Sequence, residues 1–127
     1  MKKITLLLIL TLLSFKIKSQ ISVSCSYRET CYWNSSTQAF DICSGYVERG
    51  LFEVNDRETM IVHTIENITS TYYVKRSSYD EAYKSSVFEV VSDVGNHYTF
   101  IFDAKNQLVK ILRQDNILIM FYIKSVF

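Results

Sequence analysis

Residues 87–123, VFEVVSDVGNHYTFIFDAKNQLVKILRQDNILIMFYI, decide the fold because apolar runs alternate in them with short polar clusters. Four runs rich in β-branched and aromatic residues are separated by three connections, at residues 93–96, 103–106 and 113–116. Apolar runs joined by tight polar turns are typical of antiparallel hairpins. This part of the chain is therefore predicted to form a four-stranded antiparallel meander.

The same pattern extends towards the amino terminus as far as Leu51. The predicted strands are Leu51–Val54, Thr59–Ile65, Thr69–Lys75, Val87–Ser92, His97–Phe102, Leu108–Leu112 and Ile117–Ile123. The chain has no proline and three glycines, so asparagine, aspartate and serine must form most of its turns.

One segment departs from the strand pattern. Ser78 and Glu81 have the spacing of a capping box, which predicts a short helix from Ser78 to Lys84 with Tyr79 and Tyr83 on one face. The predicted fold class is thus all-β: a single small antiparallel β domain, as a meander, a compact barrel or a curved sheet, with one short helix.

Alternation along the strands predicts which side chains form the core. Tyr98, Phe100 and Phe102 share one face, which we expect to point inwards, and Val109 and Ile111 are the core pair of the next strand. The last strand, Ile117–Ile123, is apolar on both faces and therefore needs cover. We expect the segment from Ile21 to Phe40 to provide it.

The first nineteen residues have the pattern of an export signal. Lys2 and Lys3 precede an apolar run from Ile4 to Phe15, which is shorter than the roughly 20 residues of a membrane-spanning helix. We expect cleavage after Ser19, which leaves an antiparallel β domain at residues 20–127 with no integral membrane span. The predicted location is outside the cytoplasm, either secreted or periplasmic.

Signal removal leaves ten of the fourteen Lys and Arg residues against thirteen acidic ones, a net charge of −3. Without a basic cluster, nucleic acid is not an expected partner. An oxidising compartment would let two of Cys25, Cys31 and Cys43 form a disulfide, and the sequence leaves all three pairings open. A lipid anchor on Cys25 is disfavoured because Ser22 stands where an apolar residue is expected.

Catalytic and metal-binding motifs are missing from the sequence. His63 and His97 lie on different predicted strands without metal-ligand spacing, and the turn positions of Asp93, Asp103 and Asp115 account for those carboxylates. We therefore assign no catalytic residue, no metal and no cofactor.

Aromatic residues give the candidate binding surface, because an exposed tyrosine or tryptophan offers a flat ring with a hydrogen-bonding group. The candidates are Tyr27, Tyr32, Trp33, Tyr46, Tyr79 and Tyr83.

These observations favour an exported domain that binds a small-molecule ligand or a protein without catalysis. Two alternatives stay open. One is a small exported hydrolase that uses His63 or His97, which requires both histidines to line one cleft. The other is a structural or interaction subunit of the envelope, which requires an exposed Ile117–Ile123 strand.

Two stretches carry a resemblance to known proteins. The ending Lys16-Ile17-Lys18-Ser19-Gln20 after the apolar run is similar to export signals of Bacteroidota, and Phe88–Phe102, with its turn at Ser92–Tyr98, resembles a hairpin in small secreted β-rich proteins of that phylum. That group is largely uncharacterised. The resemblance therefore implies a small secreted β-rich protein, and it carries over no functional residue.

Overall fold

The computed structural model describes residues 20–127, which form eight antiparallel strands. The strands are β1 (Gln20–Asn34), β2 (Ala39–Asn55), β3 (Met60–Ile65), β4 (Ile68–Asp80), β5 (Ser85–Ser92), β6 (His97–Asp103), β7 (Leu108–Arg113) and β8 (Ile117–Val126). Among these residues no helix has the length and apolar character that a membrane span requires. The predicted signal peptide lies outside the described residues.

Pairing between the first and last strands closes the sheet into a barrel with strand order β1 to β8. The β1–β8 register runs from Tyr32 opposite Ile117 to Val23 opposite Val126. Beyond it, the backbones of Ser22 and Phe127 exchange two hydrogen bonds of 2.8 Å. Of the predicted architectures, the compact barrel is the one formed, and the amino-terminal segment covers the last strand as expected.

The predicted short helix at Ser78–Lys84 is wrong. β4 continues to Asp80, and residues 81–84 form the turn into β5. The Asp80 carboxylate accepts hydrogen bonds from the N–H groups of Ala82 and Tyr83, and Lys84 has a φ of 49°. Pairing of β4 with β5 therefore replaces the few hydrogen bonds that one helical turn would have made.

Phe52 is at the centre of the aromatic core. Its ring stacks on His63 with 4.0 Å between centroids and meets Phe121 edge-on at 5.1 Å. Phe100, fully buried as predicted, lies 6.2 Å from Phe52. Packing of this kind fills the middle of the barrel with side chains, and an eight-stranded barrel is just wide enough to be filled in this way.

The predicted core residues occupy the interior. Val109 and Ile111 are buried, and Tyr98 and Phe102 are half-buried and pack against the core. Ile119 and Phe121 of β8 are also buried, so the last strand does not present the exposed apolar surface that the envelope-subunit hypothesis requires.

The connections divide between the two ends of the barrel. Turns β1–β2, β3–β4, β5–β6 and β7–β8 share one end, which we call the turn end. The other three turns lie with residues 20 and 127 at the opposite end, which we call the terminal end. Asp103 at the β6–β7 turn accepts hydrogen bonds from the backbone and side chain of Asn106, which confirms its predicted role in the turn.

The structure selects one of the three disulfides that the sequence allows. Cys31 and Cys43 are bonded, with 4.1 Å between their Cα atoms, and Cys25 is a free thiol inside the barrel. Burial raises the pKa of the Cys25 thiol to about 12. The nucleophilic thiolate is therefore almost absent at neutral pH.

We expect Cys25 to be unreactive towards Ellman's reagent in the native protein and to react as one thiol per chain in guanidinium. The thiol is 2% exposed and protonated, so the reagent reaches it only on unfolding. Cys25→Ala is the control and should release no colour in either condition. Rapid reaction of the native wild-type protein would contradict both the burial and the pairing.

Candidate functional site

The most distinctive feature of the surface is a strand edge that the barrel leaves open. β2 has seventeen residues, yet it pairs with β3 only from Gly50 to Val54. On one side, its preceding part, Ala39–Arg49, pairs with β1, with register shifts that leave Asp41, Glu48 and Arg49 without an opposed residue. On the other side, it pairs with no strand of residues 20–127. We call Ala39–Arg49 the free edge. It arises because β3 ends at Ile65, where the chain turns back into β4.

The disulfide shows which backbone groups point out of the free edge. Opposed residues in an antiparallel pair are about 4.5 Å apart when they are not hydrogen-bonded to each other and about 5.5 Å apart when they are. The 4.1 Å between Cys31 and Cys43 identifies a non-hydrogen-bonded pair. The N–H and C=O of Cys43 therefore point away from β1. The uninterrupted register gives Gly45 and Val47 the same orientation.

Three sequence-predicted aromatic residues lie on the free edge or on the neighbouring part of β1. Tyr32, Trp33 and Tyr46 are exposed, and Trp33 packs edge-on against Phe40 at 5.1 Å. Sequence reasoning missed two exposed aliphatic neighbours, Ile42 and Val47, the second of which is 79% exposed. The free edge therefore combines unpaired backbone groups with apolar side chains.

The fourth aromatic candidate of this segment, Tyr27, has a structural role. Its ring lies over Gly45 so closely that a Cβ at that position would overlap it. The other side of the ring meets Tyr122 edge-on at 5.5 Å. Tyr27 therefore covers a glycine in the middle of the free edge, and any side chain at residue 45 would displace it.

Arg28 joins the free edge to the barrel interior, a role that no sequence pattern indicated. A register shift in β1 between Cys25 and Tyr27 brings Arg28 opposite Phe121, and its guanidinium carbon lies 5.6 Å from the centre of that ring. Arg28 also forms an ion pair with Glu48 of β2 at 3.5 Å. The pair is largely shielded from solvent, so it ties the base of the free edge to the core more strongly than a surface pair would.

The last two aromatic candidates, Tyr79 and Tyr83, lie at the terminal end. They are therefore at the opposite end of the barrel from Tyr32 and Trp33. Tyr79 lines an apolar cavity of about 200 Å³ whose walls include Val23, Phe88 and Phe102. Tyr83 is exposed in the β4–β5 turn. The six residues predicted from sequence thus belong to two separate surfaces.

A shallow groove of about 450 Å³ crosses the outer face of β4, β5, β6 and β7. Its three lysine and arginine side chains come from two strands, Lys75 and Arg76 from β4 and Arg113 from β7. Two are already neutralised, Arg76 by Glu89 at 2.8 Å and Arg113 by Asp115 at 2.7 Å. The groove is therefore a weaker candidate for a charged ligand than its composition suggests.

The two histidines do not share a cleft. His63 is buried against Phe52 and Phe121, and its Nε2 has no hydrogen-bond partner in residues 20–127. His97 is exposed and lines the outer groove. The arrangement that the hydrolase hypothesis requires is thus not formed by the described residues.

A set of possible metal ligands lies at the base of the disulfide. The ligand atoms of Glu29, Cys31 and Cys43 are all within 4.8 Å of one another. The two sulfur atoms are bonded to each other, and a metal-binding cysteine must be a thiolate. Only Glu29 is left to coordinate an ion, so the disulfide-bonded protein has no metal site here.

No protein-family model, curated protein or solved structure matched this chain. The candidate site is therefore defined by the geometry of this chain alone. Its central elements are the free edge, the apolar side chains beside it, and the Arg28–Glu48 pair at its base.

The buried His63 predicts a pH-dependent stability. Burial, together with the positive charge of Arg28, lowers the pKa of His63 from 6.5 to about 4. Between these values the unfolded chain binds more protons than the folded one, so the free energy of unfolding should fall as the pH drops through this window. The whole shift corresponds to about 3 kcal/mol.

Urea unfolding at about pH 7 and about pH 4.5 measures this loss. His63→Phe keeps an aromatic ring on Phe52 but cannot titrate, so its free energy of unfolding should fall less on acidification. His97→Asn removes the exposed histidine and should behave like the wild type. Equal pH dependence in the wild type and His63→Phe would contradict the assignment.

Proposed function

We propose that this protein is an exported, non-catalytic binding module that recognises an extended segment of a polypeptide by adding it as a strand to β2. The observation that carries the proposal is the free edge Ala39–Arg49, whose outward N–H and C=O groups have no strand partner in residues 20–127. A long unpaired edge is a template for another strand. In strand addition, the main chain supplies affinity and the neighbouring side chains supply specificity.

The free edge is held in the conformation that strand addition needs. The Cys31–Cys43 disulfide fixes β2 to β1, and the Arg28–Glu48 pair fixes its base to the core. A binding strand that is already ordered loses little conformational entropy when a partner arrives. Rigidity at this edge therefore supports recognition.

Exposed side chains on both faces of the free edge can contact the side chains of an added strand. Tyr46 lies opposite Arg28 on one face, and Val47 lies opposite Tyr27 on the other. Both Tyr46 and Val47 are exposed. Aromatic residues dominate the energetics of many protein interfaces, which favours a polypeptide partner over a polar small molecule.

Export is the second part of the proposal. It is supported by the signal-like residues 1–19 and by the disulfide, which persists in oxidising compartments. The geometry gives less support to the alternatives: His63 and His97 do not line one cleft, and β8 is paired on both sides.

The cavity at the terminal end supports a second candidate function, binding of a short apolar chain. Its volume of about 200 Å³ is below the roughly 300 to 1,000 Å³ of most ligand pockets. Lys84 and Glu58 both stand among its lining residues, and Lys84 would suit a carboxylate head group. This site is at the other end of the barrel, so it does not compete with the free edge.

A fluorescent octanoate analogue tests the second candidate. Ser86 lines the cavity, and Ser86→Leu should fill part of it and weaken binding about tenfold, whereas Gln114→Leu at the turn end should have no effect. Equal binding by both variants would remove this function and leave the free edge unaffected.

Strand addition is tested with a displayed library of random peptides selected on the purified wild-type protein. Val47 directs its N–H out of the free edge, so Val47→Pro removes an edge donor without removing a β1–β2 hydrogen bond. Selected peptides should protect the amides of residues 39–49 from hydrogen exchange and bind Val47→Pro at least about tenfold more weakly.

Val47→Ala is the matched control because it shortens the side chain and keeps the N–H. It should bind within about threefold of the wild type if backbone pairing dominates. Selected peptides that protect other segments, or that bind Val47→Pro as well as Val47→Ala, would overturn the proposal.

A further inference from the structure

We propose that the strand added to the free edge is the same edge of a second copy of this chain, so that two β2 strands pair antiparallel about a two-fold axis at Gly45. This inference rests on strand addition at the free edge and adds the identity of the partner. It makes the interface isologous, as in most symmetric dimers.

The backbone orientation limits how two free edges can pair. Cys43, Gly45 and Val47 direct their N–H and C=O groups outwards, so these residues must make the hydrogen bonds between the copies. An axis at Gly45 sets Gly45 opposite its own equivalent and Val47 opposite Cys43 of the second copy. Each outward N–H or C=O group of one copy then faces an outward backbone group of the second copy.

Charge complementarity selects this register. The axis at Gly45 brings the Asp41 end of one strand to the Arg49 end of the second copy, and the symmetry repeats this approach at the other end of the interface. Both residues lie at shifts of the β1–β2 register, so their contact depends on side-chain reach rather than on a fixed cross-strand position. Neither residue has an ion-pair partner within residues 20–127. The Thr37 hydroxyl, 2.6 Å from the Asp41 carboxylate, lowers the pKa of Asp41, which is therefore charged at neutral pH.

Neighbouring registers lose this match. An axis at Ser44 shifts Arg49 of the second copy two residues along the strand away from Asp41, which moves the opposite charges apart by about 7 Å. The axis at Gly45 instead places the 79%-exposed Val47 against the disulfide of the second copy. Apolar burial and ion pairing thus favour the same arrangement.

The predicted interface is small. It consists of one strand from each copy and the side chains beside it, which places it among the weak, concentration-dependent assemblies. The dimer should therefore be observed by sedimentation over a range of protein concentrations, at low ionic strength because exposed ion pairs are screened by salt.

Charge exchange provides the decisive test. Asp41→Arg gives each copy two positive charges at the interface, and Arg49→Asp gives each copy two negative ones. Each variant alone should dimerise at least about tenfold more weakly than the wild type, since like charges then face each other. A mixture of the two variants restores both opposite-charge pairs and should form a heterodimer. The double variant carries one charge of each sign and should form a homodimer.

Intact mass and circular dichroism establish that each variant keeps its disulfide and its sheet. The expected result is a wild-type dimer, weakened by Val47→Pro and by each single charge reversal, and restored on mixing the two reversals. A dimer that resists these substitutions, or one that mixing does not restore, would overturn the Gly45 interface.

A wild-type monomer at every concentration would also overturn it. The peptide selection separates this failure from failure of the proposed function. If selected peptides still protect residues 39–49 on a monomeric protein, strand addition holds and the partner is a different polypeptide. If the protein is monomeric and no peptide protects this edge, both proposals fall.

Discussion

The pairing of β1 with β8 is the constraint on which the rest of the structure depends. Without it, the apolar strand Ile117–Ile123 would be an exposed edge. Closure joins the two ends of the described chain, so the barrel forms only when contacts most distant in sequence are made. Closure also requires β1 to pair with β8 on one side and with β2 on the other, and this pairing sets the register of β2.

Unequal strand lengths explain why a closed barrel still has an open edge. β1 and β2 have fifteen and seventeen residues, whereas β3 has six. β8 accompanies β1 as far as Tyr32, but β3 leaves β2 at Gly50. A strand that loses its neighbour usually frays, and here a disulfide and a shielded ion pair hold it in place. The sequence thus maintains an edge that most proteins cover.

The carboxyl-terminal half was predictable because its signals are local. The alternation of Phe100 with its neighbours and the short polar turns each fit within one hairpin. The free edge was not predictable, since it exists only because β3 is short and the barrel closes elsewhere. Arg28 was missed because a register shift turns it inwards, and the Ser78–Glu81 capping signal failed because strand pairing overrode it. Sequence located three of the edge aromatics but could not show that two other candidates lie at the opposite end.

The positions of the reactive groups favour recognition over chemistry. The free thiol and one of the two histidines are buried, and burial shifts both pKa values towards the uncharged form. A catalytic group needs access to substrate and a pKa near the working pH, and neither Cys25 nor His63 has both. Backbone donors, acceptors and aromatic rings are instead presented outside the barrel, on a strand that is covalently held. Such a strand is suited to pairing with a second strand, and it carries opposite charges near its two ends, at Asp41 and Arg49.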